Sequence, residues 1–153
     1  MYNVGESVMS VCERVSGRSG VNLLLVEDDE PTLELLWQFL GRFYSIIACS
    51  SGERALHALY TNDSINVIVT DLRMPGVNGF DILRCAYEYS QRTGLAIPAV
   101  VLTGHGTPED EGRARSLGVT HIHRKPIDLM KLREAIESCC TAEEARSLPQ
   151  LAG

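Results

Sequence analysis

Between residues 21 and 140, short apolar runs alternate five times with longer stretches in which apolar residues recur every three or four positions. Val21 to Val26 form the first run, interrupted only by Asn22, and suit a strand buried on both faces. The run stops at Glu27, Asp28, Asp29 and Glu30. Pro31 then fits the first turn of a helix on which Leu33, Leu36, Trp37 and Leu40 share one face, with Gly41 as a stop. Tyr44 to Cys49 predict a second strand, and Ser50 with Glu53 reads as a capping box for a helix carrying Ala55, Leu56 and Leu59. Val67 to Thr70 predict the third strand, running into Asp71. Pro75, Gly76, Asn78 and Gly79 supply turn chemistry before a helix with Phe80, Leu83 and Tyr87 on one face. Ala99 to Leu102 predict the fourth strand, ending at Thr103. Thr107 and Pro108 open a helix whose apolar face is little more than Ala114 and Leu117, closed by Gly118. Thr120 to Arg124 predict the fifth strand. Lys125-Pro126 follows, and Asp128 caps a last helix with Leu129, Leu132, Ile136 and Cys139 in register.

Strict strand–helix alternation points to an α/β fold: a doubly wound parallel sheet of five strands with helices on both faces. Each parallel connection needs a crossover, and crossovers are nearly always right-handed. A chain of 153 residues accommodates one such domain, expected over 21–140. Residues 1–20, polar and rich in Gly and Ser, are expected as a flexible N-terminal extension, and 141–153 as a C-terminal tail with no second domain.

Composition narrows the function classes. The balance of 44% hydrophobic and 22% charged residues is that of a globular protein, and the net charge of −6 argues against direct DNA binding, which uses basic stripes. Cys12, Cys49, Cys85, Cys139 and Cys140 lack the paired short spacings of zinc sites and read as buried or idle thiols in a reducing compartment. The first twenty residues have no apolar core resembling a secretory signal, and no stretch approaches the roughly 18 apolar residues of a membrane span. A cytoplasmic protein without membrane insertion is expected.

In open α/β sheets the ligand site lies beyond the carboxyl ends of the strands, where strand order reverses. The polar residues of this chain gather there: Glu27 and Asp28 after the first strand, Asp71 at the third, Thr103 at the fourth, Lys125 at the fifth. Each has an ordinary reading in isolation. The acids after Val26 favour a helix N-terminus, Asp71 and Thr103 suit loops, and Lys125 suits solvent. Together they form a set with chemistry. Three carboxylates within about 4–6 Å repel by a few kcal/mol, which a divalent cation reverses, and oxygen-only ligands suit Mg²⁺. A cation beside Asp71 makes that carboxylate a plausible nucleophile toward phosphorus, with Lys125 and the Thr103 hydroxyl as donors to phosphoryl oxygens.

At these residues the chain resembles bacterial two-component response-regulator receiver domains, of the single-domain, chemotaxis-regulator-like kind, from roughly Val21 to Cys140. Leu25-Val26-Glu27-Asp28-Asp29 is similar to the family's first-strand acidic motif. Val67 through Gly79 is similar to its phosphoacceptor strand and loop. The resemblance implies a flavodoxin-like sheet of strand order 2-1-3-4-5. It makes Asp71 the phosphorylated residue, with Asp71, Thr103 and Lys125 as the reacting set. It implies Mg²⁺ on Glu27, Asp28, Asp71 and the Arg73 carbonyl. Thr103 matches the switch hydroxyl, Gly104 the small residue beside the phosphoryl group, and Lys125-Pro126 a characteristically cis prolyl bond. Ile122 stands where the family often has the switch aromatic, flanked by His121 and His123. These histidines read either as a pH or metal sensor or as exposed strand-end residues without a role. His105 lies where the family tunes water access, or is a loop polar residue.

The expected function is therefore a stand-alone receiver that takes a phosphoryl group from a sensor histidine kinase or phosphotransfer protein onto Asp71. It would present a changed surface to a downstream protein target, as a monomer or a phosphorylation-linked dimer. It would be no enzyme beyond its own phosphorylation and dephosphorylation. The alternative is an interaction module that keeps the fold without phosphorylation. An enzyme on this fold fits poorly: Glu27 to Glu30 would repel the phosphate of a flavin, and Arg73 stands where an aspartyl-phosphate phosphatase carries a second acid.

Overall fold

The computed structural model describes residues 20–147 and Glu13–Val15, with side chains over 20–140. The strands are β1 (Glu13–Val15), β2 (Asn22–Val26), β3 (Ser45–Cys49), β4 (Val67–Asp71), β5 (Ala99–Thr103) and β6 (His121–Arg124). The helices are α1 (Glu30–Leu40), α2 (Gly52–Thr61), α3 (Gly79–Thr93), α4 (Pro108–Ser116) and α5 (Leu129–Ser147). The sheet order is β1-β3-β2-β4-β5-β6. The strands from β2 to β6 are parallel neighbours, giving the five-stranded parallel sheet in the expected order.

The strand sequences explain the layering. Leu23, Leu25, Ile46, Ala48, Val67, Val69, Val100 and Leu102 pack with Leu33, Leu36 and Leu40 of α1 and Leu132, Ala135 and Ile136 of α5. The alternate positions Leu24, Val26, Ile47, Cys49, Ile68 and Val101 pack with Ala55 and Ala58 of α2, Phe80, Ile82, Leu83 and Ala86 of α3, and Ala114 of α4. Period-two alternation thus serves two apolar layers instead of one layer and solvent, which is why the strands read as continuous apolar runs.

Two local expectations are revised, the cap of α2 and the inward face of α3, and two elements fall partly or wholly outside residues 21–140. Ser51, not Ser50, caps α2, its side chain accepting from Arg54 N. Tyr87 is 40% exposed, and Ala86 takes the inward position on α3. Within the stretch expected as a flexible extension, Glu13–Val15 pairs antiparallel with β3, covering an edge that would otherwise present unpaired backbone groups. Helix α5 continues to Ser147, beyond the expected boundary at residue 140. Residues 1–12, 16–19 and 148–153, Cys12 among them, lie outside the described residues. Among the described residues, no helix is long and apolar enough to cross a membrane.

Candidate functional site

Strand order reverses at β2, which lies between β3 and β4. At the carboxyl ends of these strands, register sets the site. Glu27 N donates to Cys49 O at 3.1 Å, continuing the ladder one residue past β2, and Lys125 N donates to Thr103 O at 2.8 Å, doing the same past β6. The chain then turns sharply at each end, through Asp29 as the N-cap of α1 and through the cis Lys125-Pro126 bond. Both turns leave the preceding side chain at the sheet edge.

Glu27 is fully buried and Asp71 6% exposed, whereas Asp28 is exposed. One carboxylate oxygen from each of the three lies within 4.8 Å of the others. Lys125 Nζ bridges two of them, at 2.8 Å from Glu27 Oε2 and 2.7 Å from Asp71 Oδ2. The remaining oxygens accept backbone donors: Glu27 Oε1 from Asp29 N at 3.1 Å and Asp71 Oδ1 from Arg73 N at 3.2 Å. Burial pushes the Glu27 carboxyl above its ordinary value despite the Lys125 hydrogen bond that opposes it. For Lys125 burial works against the charged form, but its bonds to Asp71 and Glu27 outweigh it and the ammonium is held above its ordinary value. One ammonium against three carboxylates leaves an acidic pocket of hard oxygen donors. That donor set fits a hard divalent cation such as Mg²⁺ and does not resemble the His and Cys sets that hold zinc.

Thr103 is buried at the end of β5, and its hydroxyl makes no hydrogen bond. Gly106 lies against it: a Cβ there would come within 3.0 Å of Thr103 Oγ1. Gly104 and His105 are exposed, with the Gly104 position open except toward the Lys125 stem, where a Cβ would meet Cδ at 3.8 Å. Lys125 and the Arg73 and Asp29 N–H groups contact the carboxylates, and Ile122 lies away from them. It pairs with Val101, while Arg124 pairs with Thr103, so Ile122 sits one pleat repeat below Thr103. It is half-buried against the layer of α2, α3 and α4. His121 and His123 are half-buried, not exposed. His121 Nδ1 lies 2.9 Å from Thr120 Oγ1, and burial lowers the His123 pKa. Neither joins a metal-type cluster among the described residues.

The supporting residues carry less sequence signal. Asn78 and Asp81 form a reciprocal capping box at α3, fixing the helix that starts beneath Asp71. There Gly79 is required, because a Cβ would lie 2.1 Å from Asp71 O. Glu53 of α2 reaches across to accept from Val77 N at 3.2 Å, pinning the loop after Asp71. Arg73 Nη2 donates to both carboxylate oxygens of Asp110 in α4, each at 2.7 Å. That guanidinium holds the Asp110 carboxyl below its ordinary value. Asn78 reads from the sequence only as turn chemistry, although the Asn78-x-x-Asp81 spacing is the signal that could have marked the cap; the reach of Glu53 and Asp110 leaves no such local signal.

Residues 23–137 match the family model for the response regulator receiver domain. Among curated relatives, the chain is 31% identical over 117 residues to the transcriptional regulatory protein GlrR of Escherichia coli, an alignment covering 76% of this chain and 25% of that protein. It is 31% identical over 122 residues to the virulence sensor protein BvgS of Bordetella bronchiseptica, covering 76% of this chain and 10% of that one. The chain thus spans about a quarter or less of the length of these relatives. Among solved structures, the CheY-like receiver of Methanospirillum hungatei superposes with TM-score 0.74 at 19% identity, covering 83% of this chain and 98% of that one. A receiver domain from Clostridium thermocellum gives 0.71 at 27% identity, covering 82% and 98%. Receivers are the signalling phosphoacceptor modules of two-component systems and work with histidine kinases or phosphotransfer proteins. The fold, the strand-end chemistry and these matches agree: the chain belongs to the response regulator receiver domain family.

Proposed function

We propose that this receiver accepts a phosphoryl group from a sensor histidine kinase or phosphotransfer protein onto Asp71, in a Mg²⁺-dependent reaction, and signals by a change of surface read by a downstream protein. The observation that carries the reading is the placement of Asp71. It is a nearly buried carboxylate 2.7 Å from the Lys125 ammonium, with Glu27 and Asp28 offering oxygens within 4.8 Å. Glu27, Asp28, Asp71 and the Arg73 carbonyl would hold Mg²⁺, which when bound neutralises charge on the incoming phosphoryl oxygens.

The protein's own groups do the rest. An Asp71 carboxylate oxygen forms the new bond to phosphorus as the donor's bond to it breaks, and a departing imidazole takes its proton from solvent. Lys125 leaves its carboxylate partners for a phosphoryl oxygen, keeping a positive charge where negative charge accumulates. Thr103, with a hydroxyl that has no partner in the resting protein, donates to another oxygen. Gly104 leaves room beside it, His105 borders the path of attacking water, and Ile122 follows Thr103 inward as the switch residue. The protein catalyses only its own phosphorylation and dephosphorylation. Incubation with acetyl phosphate and Mg²⁺ should give acid-stable, base-labile labelling, lost without Mg²⁺ and in Asp71→Asn. Labelling that survives in Asp71→Asn would overturn the assignment, and an unlabelled wild-type protein would favour a phosphorylation-independent interaction module.

A further inference from the structure

Arg73 stands in two places at once. Its N–H donates to the Asp71 carboxylate at 3.2 Å, while its guanidinium pairs with Asp110 on another helix. The Arg73 side chain is 59% exposed and that of Asp110 only 10%, so the mobile partner of this pair is the arginine. Asp110 is in turn part of the α4 capping box, accepting from Thr107 N at 3.4 Å while its own N–H bonds Thr107 Oγ1 at 3.1 Å. Asp110 and Ala114 are the only buried residues of helix α4, so it is held chiefly by surface contacts, among them the ion pair of Glu111 with Arg124. The guanidinium of Arg73 also lies 5.9 Å from the Phe80 ring, over which Arg113 sits at 4.1 Å. Two cations therefore share one ring, and Asp110 supplies the negative charge that pairs with Arg73.

We propose that Asp110 is a positioning residue that holds the Arg73 guanidinium against the first turn of α4 until a phosphoryl group on Asp71 draws it away, releasing the α4 N-terminus. The inference rests on the reading of Asp71 as the acceptor. A phosphoryl group carries about −1.5 to −2 charge and several strong acceptor oxygens, against the single charge of Asp110, and arginine engages such groups through paired donors. The Arg73 side chain springs from the peptide that already touches Asp71, so exchange needs only side-chain rotation. Two anions competing for one cation make a two-state element biased directly by phosphorylation. This route to α4 does not pass through Ile122.

The test is hydrogen–deuterium exchange of the α4 amides in the full chain with Mg²⁺, with and without acetyl phosphate, normalised to the labelled fraction. In the wild type, phosphorylation should speed exchange at the α4 N-terminus about fivefold, as expected for loss of one partly exposed charge-assisted pair. Asp110→Asn keeps a side-chain oxygen for Thr107 N. It should exchange at the fast rate before phosphorylation, remain competent for labelling, and gain nothing more when labelled. Arg73→Gln, which leaves the Asp110 cap intact, should show the same fast and unresponsive α4. An equal phosphorylation-dependent rise in all three proteins, or slow α4 exchange in unphosphorylated Asp110→Asn, would overturn the exchange while leaving the acceptor reading in place. Failure of the wild type to label overturns the acceptor reading and this inference with it.

Discussion

Replacing Lys125 by Met keeps an apolar stem of similar length and removes the ammonium that bridges Glu27 Oε2 at 2.8 Å and Asp71 Oδ2 at 2.7 Å. At an effective dielectric of about 20, each contact represents roughly 6 kcal/mol of gross attraction, and carboxylate oxygens within 4.8 Å of one another repel by about 3 kcal/mol or more. Desolvation of the ammonium offsets much of the attraction, and the exposed side of the pocket near Asp28 lets water in. The net destabilisation expected in EDTA at neutral pH is therefore about 2–4 kcal/mol, near the lower end for breaking a buried pair. The sign of its pH dependence follows from Glu27, whose carboxyl is already raised by burial and loses a lowering contact when Lys125 goes. A carboxyl raised in the folded state contributes stability below its unfolded value of 4.5 and loses it as pH rises through the folded value. The gap between wild type and Lys125→Met should thus be small near pH 4 and widen toward neutrality. Mg²⁺ should stabilise the variant more than the wild type, because it answers a larger unbalanced charge. Urea titrations at two pH values, in EDTA and in Mg²⁺, read all three effects. A variant within about 0.5 kcal/mol of wild type in EDTA at pH 7, or equal Mg²⁺ stabilisation of both, would refute the electrostatic account of the pocket.

Gly79→Ala would place a Cβ 2.1 Å from Asp71 O; it should lose about 1–3 kcal/mol in denaturant titration and label more slowly, and wild-type stability would contradict the close approach. Thr103→Val removes a buried hydroxyl that has no hydrogen-bond partner. Its stability should therefore be unchanged or higher by about 1 kcal/mol, while phosphorylation no longer alters exchange at β5 and β6; marked destabilisation would mean the hydroxyl is satisfied. The Asp110 carboxyl, held below its ordinary value of 3.8 by Arg73, should titrate at higher pH in Arg73→Gln when followed by carboxyl NMR. A carboxyl depressed in this way contributes stability above its unfolded value and loses it as pH falls through the folded one, so α4 should loosen in acid more in the wild type than in Arg73→Gln, where only the Thr107 contacts still lower the carboxyl.

The elements that read correctly from the sequence share a physical basis in short-range pattern. Continuous apolar runs marked β2 to β5 because both layers of helices cover the sheet, and the strand-ending acids Glu27 and Asp71 stood out because a buried strand has no other place for charge. Caps at Thr107 and Asp128 involve residues only three positions apart. Where two neighbours were chemically equivalent, as with Ser50 and Ser51, local pattern had no means of choosing. Tyr87 and Ala86 differ by one position on a helix whose inward face is set by what packs against it, and the small residue fits against the sheet.

The sequence by itself determined the parallel α/β alternation and singled out Asp71 with the polar residues at the strand ends, since each announces itself through period, turn chemistry or family-like motif. Only the tertiary structure decided the pairings. Lys125 meets Glu27 across 98 residues and Asp71 across 54, and Arg73 meets Asp110 across 37. The antiparallel strand β1, too, takes its identity from the edge of β3. Such contacts are selected by strand register and helix position, which depend on the whole core at once, and no local window along the chain contains them.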